Sequence, residues 1–177
     1  MEKMIYVISD TYFGRFASAK DRGIEPDNHN QTLIDKWNSI VKPNDIVWHL
    51  GGFAWDVLSA EEAITKLNGT INIIMSPVDE QFRDVFNIHG VVSYKGYFEL
   101  TGHNIVLSHY PMVDWPGKEQ DIYHIHGGNK EYRAELHKEK RFNVSLRPAY
   151  ILKNSVRTVF KSVAFVRQME RTNNIKY

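Results

Sequence analysis

The sequence predicts an α/β fold with two packed β-sheets flanked by helices, and three observations carry that expectation. Five strand-length apolar runs, Ile5 to Ile8, Ile46 to Leu50, Ile71 to Met75, Ile105 to Leu107 and Ile122 to Ile125, are bounded by Gly, Pro, Asn or Asp. Helical stretches separate the first three runs. In the later half Val91 to Tyr94, Tyr97 to Leu100 and Ile105 to Leu107, split by Gly96 and Gly102, read as hairpins.

Each element has a local reason. Between the first two strands, Leu33, Ile34, Trp37, Ile40 and Val41 form a helical stripe that stops before Pro43-Asn44. Ser59 followed by Glu62 has the spacing of a capping box and predicts a short helix through Leu67, after which Asn68-Gly69 turns the chain into the third strand. Near the end, Val156, Val159, Phe160, Val163 and Val166 suit an amphipathic helix over about 155–171, with Arg157, Lys161 and Arg171 on its polar faces. No internal repeat or low-complexity segment is apparent.

Composition fits one domain over 1–177. The chain is 42% hydrophobic, and neither Gly nor Pro is abundant enough to suggest disorder. Without cysteine there is no disulfide, thiol nucleophile or thiolate metal site. Met1-Glu2-Lys3 runs into a short strand with too few apolar residues for a signal peptide or membrane span, so the expected location is the cytoplasm, with no membrane partner. Residues 131–177 hold eleven Lys or Arg against four Glu, a net +7, and the preceding residues carry the balancing −6. That basic end is read first as a solvated helix and second as a surface for an acidic protein or, less readily, nucleic acid.

Five motifs stand in order along the chain: Ser9-Asp10-Thr11-Tyr12 after the first strand, His49-Leu50-Gly51-Gly52, Ser76-Pro77-Val78-Asp79, Ser108-His109-Tyr110-Pro111 and His126-Gly127-Gly128-Asn129-Lys130. The series resembles the calcineurin-like metallophosphoesterases, especially their short single-domain bacterial and phage members, over about residues 4–152. The resemblance implies a four-layer α/β/β/α sandwich. It also implies five loops that place aspartates, an asparagine and histidines around two divalent metals, which bind phosphate and activate a bridging water.

Most of the implied ligands are substituted here. Asp10 and His109 remain, and Asp79 remains as a group that shapes its loop. The family histidine two residues after the first aspartate is Tyr12, the bridging aspartate is Gly52, the Asn-His pair is Pro77-Val78, and the two alternate histidines are Gly128 and Lys130. Each implied metal keeps one ligand, where catalytic zinc sites usually keep three, and glycine, proline and valine side chains have no lone pair to offer. Lys130 would repel a cation and could itself neutralise Asp10. The expectation is therefore no catalytic residue, no metal and no cofactor. Asp10 serves equally well as a loop cap. His109 is read as structural, and His49, His124 and His126 as hydrogen-bonded core or rim histidines.

Three function classes follow. The leading expectation is a catalytically inactive phosphoesterase-like protein that binds another protein as scaffold, inhibitor or regulator. Its surface would be either an aromatic rim of Tyr12, Phe13, Phe16, Trp55 and Trp115, centred on Tyr12, Phe16 and Trp55, or the basic helix with Arg157, Lys161 and Arg171. Tyr12 can alternatively be simple infill of the old cavity. The second class is a metal-independent binder of a nucleotide or other phosphorylated ligand through Arg15, His109, Asn129 and Lys130. The third is a phosphoesterase with a rearranged or single-metal site.

Overall fold

Tyr6 and Ile8 are buried in one hydrophobic core, whereas Val7 between them is buried in another. A strand that alternates between two cores must lie in a covered sheet, and this explains its unbroken apolar run. The computed structural model of the chain describes residues 4–128 and 140–145, and the backbone of 157–158.

In chain order the strands are β1 (Ile5–Ile8), β2 (Ile46–His49), β3 (Thr70–Ile74), β4 (Val92–Tyr94), β5 (Tyr97–Leu100), β6 (Ile105–Ser108), β7 (Tyr123–His126), β8 (Arg141–Asn143) and β9 (Arg157–Thr158). The α-helices are α1 (Phe16–Asp21), α2 (His29–Ile40), α3 (Val57–Lys66) and α4 (Arg83–Ile88). One sheet has the order β4-β3-β2-β1-β9 and the other β5-β6-β7-β8. Strands β1 to β4 pair in parallel, as their helical crossovers require.

The α/β architecture with two packed sheets is thus present. Helix residues Leu33, Ile34, Trp37, Ala60, Ala63 and Phe86 pack with Tyr6, Ile8, Val47 and Ile73 on one face of the first sheet. On its other face Val7, Trp48 and Ile74 meet Ile105, Leu107, Tyr123, Ile125 and Phe142 of the second sheet. The expectation of a further helical layer on the second sheet falls outside the described residues.

The hairpin expectation holds for β5 and β6, which pair antiparallel, and fails for β4 and β5. Strand β4 pairs with β3, and Lys95-Gly96 carries the chain from one sheet to the other. The reason lies in three aromatic rings. Trp48 stacks on Phe98 at 4.4 Å and approaches Tyr94 at 5.4 Å, so Tyr94 and Phe98 meet across the inter-sheet core.

Helix α2 matches the apolar stripe, and Val41 leaves it in extended conformation, fully buried. Helix α3 starts earlier than expected: its cap is Asp56, whose Oδ1 accepts from Ser59 N at 2.8 Å, while Glu62 accepts from Asn30 and Lys66 instead of closing a box. The capping box occurs at Ser76 and Asp79, on a 3-10 turn (Pro77–Phe82). Asn68 fixes the turn before β3 by accepting from Trp37 Nε1 through its carbonyl and by bonding Asn38 and Val41.

The basic terminal helix is corrected at Arg157 and Thr158, whose backbone pairs antiparallel with Val7 and Tyr6 as an edge strand. The segment 156–160 is rich in β-branched and aromatic residues, a composition that suits a strand, and the paired backbone of Arg157 and Thr158 covers the edge of β1 at Val7 and Tyr6. Lys161 and Arg171 lie outside the described residues.

Candidate functional site

The loops after β1, β2, β3, β6 and β7 converge at one end of the sandwich, and direct bonds hold them there. Asp10 N donates to Gly51 O at 2.9 Å, Gly128 N donates to Asp10 Oδ2 at 3.1 Å, and His109 Nδ1 donates to Leu50 O at 2.6 Å. Ser9 Oγ reaches the carbonyls of Leu50 and Gly51. Asp10, Tyr12, Gly52, His109 and Gly128 are thereby brought together.

The centre of this cluster is filled. Asp10 and Tyr12 both take positive φ, 60° and 47°, a conformation that costs energy for residues with a Cβ and is held here by tertiary bonds. A Cβ on Gly52 would lie 2.7 Å from Asp10 Oδ1 and 3.0 Å from Tyr12 Cζ. Gly52 also has φ +67°. We expect Gly52→Ala to cost about 2–4 kcal/mol, from backbone strain plus the collision. Pairing it with Asp10→Ala should lower the cost below the sum of the single changes, as urea titration of the four proteins would show.

Tyr12 is half-buried, and its phenol is pushed up to about 12 by burial and then by the charge of Asp10, so it stays neutral. The His109 ring is pinned between two glycines: a Cβ on Gly51 would come within 2.7 Å of Nδ1, and one on Gly128 within 2.7 Å of Nε2. Nδ1 carries the proton given to Leu50 O.

Asp79 sits beneath this surface, fully buried. Its carboxylate accepts from Ser76 N at 2.8 Å, Ser76 Oγ at 2.5 Å, Gly52 N at 2.9 Å and Phe53 N at 2.8 Å. It ties the β2 and β3 loops together. Pro77 opens the 3-10 turn as an exposed residue and Val78 follows it half-buried, so neither supplies a donor to the cluster. The expected approach of Lys130 to Asp10 lies outside the described residues, as does Asn129.

The described residues do not fit a pair of divalent metals. Among the described residues no group of three or more His, Cys, Asp or Glu could hold one ion. A carboxylate at position 52 would also have to displace Tyr12 or Asp10.

His49, His124 and His126 are buried and hydrogen-bonded. Thr11 Oγ1 gives its proton to Phe53 O, so His49 Nε2 is the donor in their 2.9 Å contact. Ser108 Oγ likewise donates to Tyr110 O, so His124 Nε2 donates to Ser108. That proton count removes Ser108 and His124 as a nucleophile and base. His126 Nδ1 donates to Gly127 O. Burial lowers His49 and His124 to about 3 and His126 to about 4, with His109, His126 and Arg141 among the charges that add to it.

Two residues of the site were not foreseen. Arg22 donates from Nη1 to Thr11 O and from Nη2 to Asp10 O, both at 2.6 Å, and His29 Nε2 accepts from Nη1 at 2.8 Å. Burial lowers Arg22 to about 10 and His29 to about 4. Arg22 remains the cation that holds the strained loop. No spacing marks it in the sequence, because it lies after a short helix in an ordinary polar segment.

The aromatic rim is smaller than expected. Phe16 and Trp55 are 65% and 51% exposed, but Phe13 is fully buried against Phe53. Trp115 is buried too, packed on His124 with Nε1 donating to Ile122 O. Arg15 packs on two rings of the remaining rim, its Cζ 5.1 Å from the Tyr12 centroid and 4.9 Å from that of Trp55.

These features define an α/β sandwich of two sheets whose loop end is closed by its own side chains. The same fold occurs in a protein of unknown function, AQ665, from Aquifex aeolicus, with a TM-score of 0.67 at 20% identity, covering 97% of this chain and 100% of that one. The chain belongs to the family of the uncharacterized protein MJ1445 of Methanocaldococcus jannaschii, to which it is 30% identical over 152 residues, 81% of this chain and 82% of that one. The Pseudomonas putida nuclease MPE aligns with a TM-score of 0.45 at 12% identity, over 70% of this chain and 59% of that one. No protein-family model matches. Among the described residues no helix is long and apolar enough to cross a membrane.

Proposed function

We propose that this chain is a degenerate member of the metallophosphoesterase superfamily that has lost two-metal hydrolysis and acts by binding another protein, as a scaffold, inhibitor or regulator. The observation that carries the reading is the filled centre, where Tyr12 and Asp10 crowd the Cβ direction of Gly52. Catalytic metal chemistry needs an open coordination position, and infill removes it. Phe16 and Trp55, exposed beside this centre, supply apolar contact area for a partner. The alternative basic surface of Arg157, Lys161 and Arg171 has no described side chains.

The test of catalysis is turnover of bis-p-nitrophenyl phosphate and p-nitrophenyl phosphate with manganese, nickel, zinc or magnesium. No appreciable hydrolysis is expected. Metal-dependent activity that copurifies with the protein and disappears in Asp10→Ala overturns the inactive reading in favour of a rearranged site.

Binding of a nucleotide or other phosphorylated ligand is the second reading, and a melting shift with ATP would support it. Its described residues favour it less. The His109 ring is buried, with its Nδ1–H taken by Leu50 O and its Nε2 close against Gly128, which leaves little of it for a phosphate. A pull-down from the source cells with the wild type and a Phe16→Ala/Trp55→Ala variant tests the protein-binding half. A partner retained equally by both removes the rim as the surface.

A further inference from the structure

Two helix starts lie side by side at the loop end. Phe13 and Ala54 form a parallel bridge, Trp55 N donates to Phe13 O at 2.8 Å, and a Cβ on Gly14 would strike Asp56 Oδ2 and Ser59 Oγ at 2.2 and 2.3 Å. The loop leading into α1 is therefore in contact with the start of α3 at Gly14. Of the nine large hydrophobic side chains exposed among the described residues, four lie at or just before these helix starts: Phe16, Trp55, Val57 and Leu58. Scattered exposed apolar residues need no explanation, but four gathered at one junction form a patch.

Arg15 stands inside that patch. Its guanidinium packs on Tyr12 and Trp55, and among the described residues no carboxylate or carbonyl accepts from its side chain. Its N–H groups, without a protein acceptor among the described residues, are left for a planar, two-oxygen acceptor.

We propose that the Arg15 edge, framed by Phe16, Trp55 and Leu58, receives a carboxylate of an acidic residue flanked by apolar side chains in a partner protein. The inference rests on the protein-binding reading above and names the chemistry of the bound segment. Local charge selects a carboxylate over a phosphate. Arg22, the neighbouring cation, is committed to the carbonyls of Asp10 and Thr11, while the carboxylates of Asp10 and Asp56 lie close by. Arg15 and Arg22 beside Asp10 and Asp56 leave no excess positive charge, so the fork of Arg15 suits a planar monoanionic carboxylate, whereas a phosphate dianion or a polyanionic nucleic-acid backbone is disfavoured.

The experiment selects a random peptide library displayed on phage against the wild-type protein. Enriched peptides are then synthesised, each with a Glu-to-Gln or Asp-to-Asn counterpart. We expect enriched sequences to place an acid next to a large apolar residue. Affinity should fall about tenfold or more on Arg15→Gln, on Trp55→Ala and on neutralising the peptide acid, with no further loss when Arg15→Gln meets the neutral peptide. Arg15→Lys, which keeps the charge and loses the fork, should recover only part of the binding. Far-UV circular dichroism and melting establish that each variant is folded.

Enriched peptides that depend on Trp55 but tolerate Arg15→Gln, or carry no acid, overturn the carboxylate assignment and leave the protein-binding rim standing. Binding of ATP or a single-stranded oligonucleotide that requires Arg15 overturns it in favour of phosphate. Failure to enrich any peptide sensitive to Arg15, Phe16 or Trp55 overturns both the assignment and the rim.

Discussion

Stability of the domain is expected to collapse as pH falls from 6.5 toward 4. His29 and His126 are lowered from 6.5 to about 4, and His49 and His124 from 6.5 to about 3. Burial is the leading cause for all four. The secondary causes point the same way for His29 (Arg22), His49 (His109) and His124 (His126 and Arg141), whereas Gly127 O partly opposes the shift of His126. A folded-state value below the unfolded one means that the unfolded chain takes up protons first. The stabilising contribution of each neutral histidine is therefore whole above pH 6.5 and is lost as the pH falls toward its folded value. One proton changes stability by about 1.4 kcal/mol per pH unit, so four groups titrating together give a slope of up to about 5 kcal/mol per unit. Against a total of about 5–15 kcal/mol for a domain, that slope unfolds the protein near pH 5. Urea titrations at intervals from pH 8 to pH 4.5 measure it. A flat profile between pH 7 and pH 5 would show that these histidines are not held neutral, and His29→Gln should reduce the slope by one proton.

Apolar runs made the two-sheet α/β architecture legible, because β1 to β3 and β6 to β7 are buried on both faces and announce themselves without any partner being known. Tertiary facts were not legible. The assignment of β4 and β5 to different sheets depends on Trp48 meeting Tyr94 and Phe98, residues far apart in sequence. The cap of α3 moved to Asp56 because Ser59 and Glu62 match the spacing of a box that the fold does not close. At the loop end, Asp10, Tyr12, Gly52, His109 and Gly128 stand in motifs at successive strand ends, which the fold brings together. The crowding of Gly52 by Asp10 and Tyr12 is a distance, which spacing does not contain. Phe13 and Trp115 look like rim aromatics from their loops and are core residues by packing. Arg22 left no trace, since its role lies in reaching two carbonyls across the loop.

Asp79→Ala should produce the largest loss of stability among single changes at the loop end, about 3–5 kcal/mol. The carboxylate is fully buried and accepts from four donors, and Oδ2 alone takes Ser76 N, Ser76 Oγ and Gly52 N. Alanine removes every acceptor at once. Ser76 Oγ can still accept weakly from Gly52 N, at 3.2 Å, but Phe53 N and Ser76 N lose the partner that the carboxylate gave them. Leaving buried donors unpaired costs more than the bonds themselves were worth, because their desolvation is no longer offset. Asp79→Asn separates charge from geometry: its amide oxygen can replace Oδ2, but its NH2 then faces Phe53 N–H, donor against donor. It should therefore cost about half as much as alanine. Hydrogen exchange gives the local readout, with Gly52 and Phe53 amides losing protection in Asp79→Ala before the strands do. A loss below about 1 kcal/mol, or unchanged protection at those two amides, would mean that the β2 and β3 loops hold their shape without the carboxylate that joins them.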